Sequence, residues 1–390
     1  MPSFVRNLAA SIVLAGFALS GCGSASTNSA ANSAAASDET AHSFPADTQA
    51  KLDATVASWL ADFKAPGVVV GIWMPEGTYV TAKGFSDAAK RTPMTGDEHF
   101  RVGSITKTFT VTALLQLADK KIVNLDDPVS KYLPYVPNGK NITLRMLANM
   151  TSGLYSYSFD EDFQKAIFTN PKRTWRPKQL VDISFKHPPA FPPGTAFQYC
   201  NTNTVLLGMM IEQVTHVPIG RYFRENVFRP LGLKNTVWPN DDSLPRPYAH
   251  GISQQTLDGK TTDVTHMNPT WGFTAGEIIS TRDDLRIWVK SYTTGSQISP
   301  ELQKQRLTWV KFPPATPKKG YGLGIGIFNG WLGHTGEMPG YNAGAFYLPS
   351  RDATIVMIVN SDIGLNGKNP IPVLFNKLSA IVTPDNTSGT

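Results

Sequence analysis

Arg101-Val102-Gly103-Ser104-Ile105-Thr106-Lys107 and the run that follows to Leu117 (RVGSITKTFTVTALLQL, residues 101–117) read as a helix with a polar pair at its start. Ser104 suits an N-cap or a first turn. The residues after it are apolar almost all round, the pattern of a helix buried on most sides. Lys120 and Lys121 close it, where cations meet the negative end of the helix dipole. Ser104 and Lys107 stand three apart and so share a face. A serine hydroxyl is a weak nucleophile until a base takes its proton. A lysine stripped of water loses its preference for the charged form and can act as, or assist, that base. Taken alone, the four-residue pattern fits a nucleophile unit. It equally fits a capping serine with a lysine reaching the surface.

The bulk composition narrows the classes. A chain of 390 residues suits two subdomains, and 41% hydrophobic content supports a buried core. Charged residues make up 17%, too few for a disordered chain outside the N-terminal segment. The net charge of +6 is diffuse, with no Lys/Arg run longer than a pair, so no nucleic-acid partner is expected. The two cysteines, Cys22 and Cys200, exclude a disulfide framework and a cysteine zinc site. The seven histidines lack the His-Glu-x-x-His spacing of a zincin, and no Gly-x-Ser-x-Gly elbow is present. No metal or cofactor is expected.

At the N-terminus, Arg6 precedes an apolar run from Leu8 to Leu19, which has the length of a signal h-region and is too short to span a bilayer. Leu19-Ser20-Gly21-Cys22 resembles a bacterial lipoprotein cleavage box. That resemblance implies lipidation at Cys22 and an anchor on the outer face of the cell membrane. Gly23 to about Phe44 is rich in Ser, Ala and Asn and reads as a tether. Leu52, Val56, Leu60 and Phe63 then recur at helical spacing. Residues 68–74 and 78–81 read as strands around a Pro75-Glu76-Gly77 turn. Pro128 suits the first position of a helix started by Leu125-Asp126-Asp127. Further helices are expected over 143–150, 202–214, 219–228, from a cap at Thr281, and over 373–382. Late strands are expected over 321–328, 331–335, 343–348 and 354–360. The organisation expected is a signal peptide (1–21), a lipidated cysteine and tether (22–46), an α/β subdomain (47–125 and 281–383), an inserted mostly helical subdomain (126–280) and a tail (384–390).

Two later stretches carry chemistry. Tyr199 and Asn201 stand two apart after Pro193-Gly194, so both can face one way from an extended loop. A phenol beside an ammonium would have its pKa lowered and could serve as a general base. His334-Thr335-Gly336 follows an apolar strand, where small residues let a ligand backbone approach and a histidine can carry charge.

Ser104-x-x-Lys107, Tyr199-x-Asn201 and His334-Thr335-Gly336 occur in that order, about a hundred residues apart. Together the three make the chain similar to the penicillin-recognising serine hydrolases, in the branch of class C β-lactamases, D-alanyl-D-alanine carboxypeptidases and related esterases. The likeness covers roughly residues 47 to 382 and includes Thr151-Ser152-Gly153-Leu154 and Pro230-Leu231-Gly232-Leu233. It implies an α/β (α+β) fold, with an antiparallel sheet flanked by helices and a helical subdomain opposite. It implies that Ser104 forms an acyl-enzyme, that Lys107 tunes Tyr199 as the base, and that Asn201 touches the substrate amide. The strand from His334 to Gly336 would dock the ligand. The backbone N–H groups of Ser104 and Glu337 would form the oxyanion hole, and Trp271 would line the cleft. Expected partners are a peptidoglycan-type peptide or a small acyl substrate, with β-lactams as covalent ligands.

The sequence departs from this pattern in places. His334 stands where many relatives carry lysine, which would make carboxylate binding pH-sensitive. Cys200 replaces the more usual serine and reads as a small apolar filler. Residues 321–333 hold no Arg or Lys to grip a terminal carboxylate, and the place of Arg282 is open. The favoured function is a D-alanyl-D-alanine carboxypeptidase type of enzyme. The alternatives are an esterase, amidase or weak β-lactamase, and a non-catalytic penicillin-binding or sensor lipoprotein.

Overall fold

The computed structural model describes residues 42–311 and 318–387. The chain builds a mixed α/β fold around one nine-stranded antiparallel sheet. Its strands run in the order Thr92–Pro93, Gly77–Asp87, Gly67–Met74, Ala353–Val359, Tyr341–Leu348, Trp331–Met338, Gly326–Phe328, Lys319–Tyr321 and Val310–Lys311. The N-terminal hairpin thus pairs with the C-terminal strands, Val68 opposite Val359 and Trp73 opposite Thr354. Every residue of Gly67–Met74 is buried, because both faces of the sheet are covered.

The two faces carry separate cores. Val68, Val70, Ile72 and Met74 point toward the terminal helices Ala46–Phe63 and Pro370–Val382. Leu52, Val56, Trp59 and Phe63 form the buried stripe of the first helix, and Trp59 Nε1 donates to Pro370 O at 3.2 Å. Each such side chain contributes about 1.5–3 kcal/mol on burial. Val69 and Trp73 face the other core, which surrounds the helix Thr106–Asp119.

That helix is buried from Thr106 to Leu117. Its threonines are admitted because their hydroxyls find carbonyls: Thr108 donates to Ile105 O, Thr110 to Thr274 O and Thr112 to Thr108 O, all within 2.7–2.8 Å. Phe109 stacks on Trp288 at 3.8 Å, and Trp288 Nε1 donates to Thr108 Oγ1 at 2.7 Å.

Several expectations are corrected. Of the two places expected for Ser104, the cap and the first turn, it takes the turn. It lies in a 3-10 turn, Gly103–Ile105, and the helix starts at Thr106. Pro128 is extended and bridges Thr143, so only a 3-10 turn, Val129–Lys131, follows it. The Asp127 carboxylate accepts from Tyr132 and Lys131 rather than opening a helix. The expected strand over 321–328 is broken into two by a turn in which Gly322 N donates to Ile325 O. Gly324 sits there at φ 64°, with Val111 too close for a Cβ. The helix from Ile219 passes through a π turn, Arg224–Phe228, before ending at Leu231. Glu161–Thr169 and Pro177–Ser184 lie in the region expected to be mostly helical but have no assigned bounds in the sequence reading, and Pro300–Arg306 lies outside it.

The signal-like run, Cys22 and most of the tether lie outside the described residues, as do residues 388–390. Among the described residues no helix is long and apolar enough to cross a membrane.

Candidate active site

Two glycines bring the turn that carries Ser104 against the sheet. Gly103 takes φ 51°, and a Cβ there would lie 2.5 Å from Glu337 N. A Cβ on Gly336 would lie 1.8 Å from Val102 O. Only glycine permits this approach, and it sets Ser104 beside the edge of Trp331–Met338.

Lys107 is fully buried one turn along. Its Nζ donates to Ser104 Oγ at 2.9 Å and to Ala275 O at 2.7 Å. No carboxylate pairs with it among the described residues, and burial pushes its pKa well below the ordinary 10.5. The ammonium also lies 4.8 Å from the centre of the Tyr199 ring, over its face. The Tyr199 hydroxyl is buried without a hydrogen-bond partner. Burial raises its pKa, and the neighbouring Ser104 only partly opposes this. The sequence-based expectation of a lowered tyrosine pKa is therefore reversed. Lys107 meets the ring rather than the hydroxyl, and both its contacts go elsewhere. The group in direct contact with the Ser104 hydroxyl, and disposed to be neutral, is Lys107.

Asn201 opens the helix Asn201–Thr215. Its backbone N–H donates to Ser156 Oγ and its Nδ2 to Ser158 Oγ. Its Oδ1 is buried and unpartnered, as are Gln255 Oε1 and Trp271 Nε1. All three residues line one small cleft of about 50 Å³ with Ser104, Tyr199 and Glu337. The cleft thus gathers a serine hydroxyl, a phenol, two unsatisfied amide oxygens and an unsatisfied indole N–H. Among the described residues no cluster of His, Cys, Asp or Glu is arranged to hold a metal ion.

The beta-lactamase family model matches residues 52–370. The chain belongs to the beta-lactamase family. This beta-lactamase-fold serine hydrolase is 28% identical to the putative penicillin-binding protein PbpX of Bacillus subtilis, over 75% of this chain and 70% of that protein. It is 25% identical to protein flp of Staphylococcus aureus, over 80% of this chain but only 63% of that protein. Among solved structures it is similar to a D-stereospecific amidohydrolase from Streptomyces, with TM-score 0.76 and 32% identity over 84% of this chain and 98% of the other. It is also similar to the D-amino acid amidase of Ochrobactrum anthropi SV3, with TM-score 0.74 and 26% identity over 86% and 97%.

In this family member His334 departs from its expected role. It is buried beside Tyr199 and Tyr321 and does not line the cleft. Tyr321 Oη lies 3.0 Å from Nε2, and Nδ1 faces Thr335 O. Those partners suit a neutral ring that donates from Nδ1 and accepts at Nε2. Burial pushes its pKa down to about 4. The ring therefore supplies no positive charge to a carboxylate near neutral pH. In a histidine NMR titration, the His334 ring is expected to stay neutral from pH 8 to about 5. A midpoint near 6.5 would sink this assignment.

Thr335 is half-buried, and Gly336 provides the close approach described above. Glu337 keeps part of its surface at the cleft while its carboxyl is enclosed. Burial, with Asp362 nearby, pushes that carboxyl up to about 8, opposed by donors from Gln255 and Asn369. Trp271 is buried and lines the cleft as expected. Cys200 is buried with its thiol on Leu154 O, which fits a filler. Arg282 makes a two-point ion pair with Asp283 and is absent from the cleft. Gln255 and Tyr157 were missed by sequence reasoning. Both also line the cleft, yet they sit in segments with no motif or periodic signal.

Proposed function

We propose that this chain is a serine amidohydrolase that acts through an acyl-enzyme on small amides or esters of D-configured acyl groups. The observation that carries this is the 2.9 Å contact from a fully buried, unpaired Lys107 to Ser104 Oγ. In the first step Lys107 takes the Ser104 proton as Oγ attacks the carbonyl carbon. The backbone N–H groups of Ser104 and Glu337 receive the oxyanion. The carbon–nitrogen bond then breaks, and the leaving amine takes the proton that Lys107 accepted from Ser104. Water attacks the ester, the same groups return the proton to Ser104, and the acid leaves.

The amidase-type substrate is favoured over a carboxylate-terminated peptide by the cleft itself. No Lys, Arg or His is among its described lining residues, so a terminal carboxylate lacks a counter-charge there. The structural neighbours named for D-stereospecific amide hydrolysis support the same choice. A D-alanyl-D-alanine carboxypeptidase is the second reading, supported by the likeness to a putative penicillin-binding protein.

A substrate panel separates the two. D-phenylalaninamide, a D-Ala-D-Ala peptide and a p-nitrophenyl ester are incubated with the enzyme, and intact mass is recorded after exposure to penicillin. Turnover of the amide and ester with an adduct on Ser104 is expected. Turnover confined to the peptide would move the assignment to the carboxypeptidase. No turnover and no adduct would retire the catalytic proposal.

A further inference from the structure

Two amide side chains that line the cleft, Asn201 and Gln255, have their nitrogens engaged and their oxygens free. Asn201 Nδ2 is engaged by Ser158 Oγ at 2.9 Å. Gln255 Nε2 is engaged by Glu337 Oε1 at 3.0 Å. Glu337 Oε2 in turn accepts from Asn369 Nδ2 at 2.8 Å. Asn369 cannot reverse without cost, because its Oδ1 caps Ile371 N at the start of the C-terminal helix. A carboxyl keeps an accepting oxygen whether ionised or protonated, so Oε1 can hold the Gln255 nitrogen in either state. What remains without a partner is the buried oxygen of each amide, in two residues that line the cleft. A buried acceptor without a donor is costly, and a ligand N–H removes that cost. The one carboxyl among the described lining residues is Glu337, whose Oε1 holds the Gln255 nitrogen, and no Lys, Arg or His is among them.

We propose that Gln255 is a specificity-determining residue, accepting a hydrogen bond from a free amino group on the acyl part of the substrate. This rests on the amidohydrolase function above and adds to it the chemistry that the cleft selects. Asn201 Oδ1 receives the second N–H of such a ligand. Glu337 and Asn369 are positioning residues, because they set which end of the Gln255 amide faces inward.

The test compares D-phenylalaninamide with 3-phenylpropanamide, which lacks only the amino group. The quantity read is the ratio of their kcat/KM values, in which any general loss of activity cancels. The wild-type enzyme is expected to favour the amino compound by about 10- to 100-fold. Gln255→Met is expected to lose about tenfold of that ratio, chiefly through KM. A Gln255→Met ratio equal to that of the wild type would overturn the role of Gln255. So would a wild-type enzyme that handles both amides equally, a measurement that needs no variant to fold. Turnover of neither amide would overturn this role together with the function on which it rests.

Discussion

Replacing Ser104 with alanine is expected to reduce kcat/KM by about 10⁴-fold or more while leaving the fold intact, the scale seen when an acylating serine is removed. Ser104 Oγ receives the Lys107 ammonium, so its loss removes the attacking atom and one partner of the amine. Lys107 keeps Ala275 O. Ser104 is only half-buried, so a small side chain there creates little cavity. Three measurements check this: turnover of an amide or ester, intact mass after exposure to a fluorophosphonate or penicillin, and thermal melting. Wild-type-like turnover, or labelling that persists at another residue, would show that Ser104 is not the nucleophile.

Lys107→Met is expected to cost about 10³- to 10⁴-fold in kcat without unfolding the protein. Methionine matches the unbranched stem and fills the same space. It leaves Ala275 O without its donor, at about 1–3 kcal/mol, but it also removes a buried amine that no carboxylate compensates. The two effects oppose each other, so the melting temperature should change little. The pH dependence gives the sharper signature. A base that must be neutral makes kcat/KM rise with pH through a pKa below the ordinary lysine value of 10.5, and the methionine variant should lose that limb. Linkage has a definite sign as well. The native chain binds fewer protons at Lys107 than the unfolded chain does, from its depressed pKa up to 10.5. Stability from this group therefore rises with pH across that window, and the variant should flatten the rise. A variant that melts far below the wild type, or that keeps the wild-type pH limb, would remove Lys107 from the base role.

Much of the architecture was legible because local pattern and tertiary need agree. The unbroken apolar run Val68–Met74 is what a strand covered on both faces requires. Thr281 does accept from Asp284 N at the start of Arg282–Thr294. Thr143 does the same for Met146 N. Where the expectation failed, a distant contact won. Pro128 forms a bridge with Thr143, and Gly324 takes φ 64° where Val111 leaves no room for a Cβ. The triplet Ser104-x-x-Lys107, Tyr199-x-Asn201 and His334-Thr335-Gly336 could be read only as three separate motifs. The structure brings the first two to a common point. It turns His334 away from the cleft into a neutral contact with Tyr321.

What residue order alone determined is the family, most of the sheet-forming stretches and the placing of Ser104 and Lys107 on one face. Those depend on spacing within one turn or one strand, which the backbone geometry makes a property of the sequence. Protonation and polarity at the site were decided only by tertiary structure. Burial on every side lowers Lys107 and raises Tyr199. Partners from remote loops, Ser158 for Asn201 and Glu337 for Gln255, determine which end of each amide meets a substrate. Desolvation and hydrogen-bond partnership are sums over neighbours that are far apart in the chain, so no local pattern encodes them.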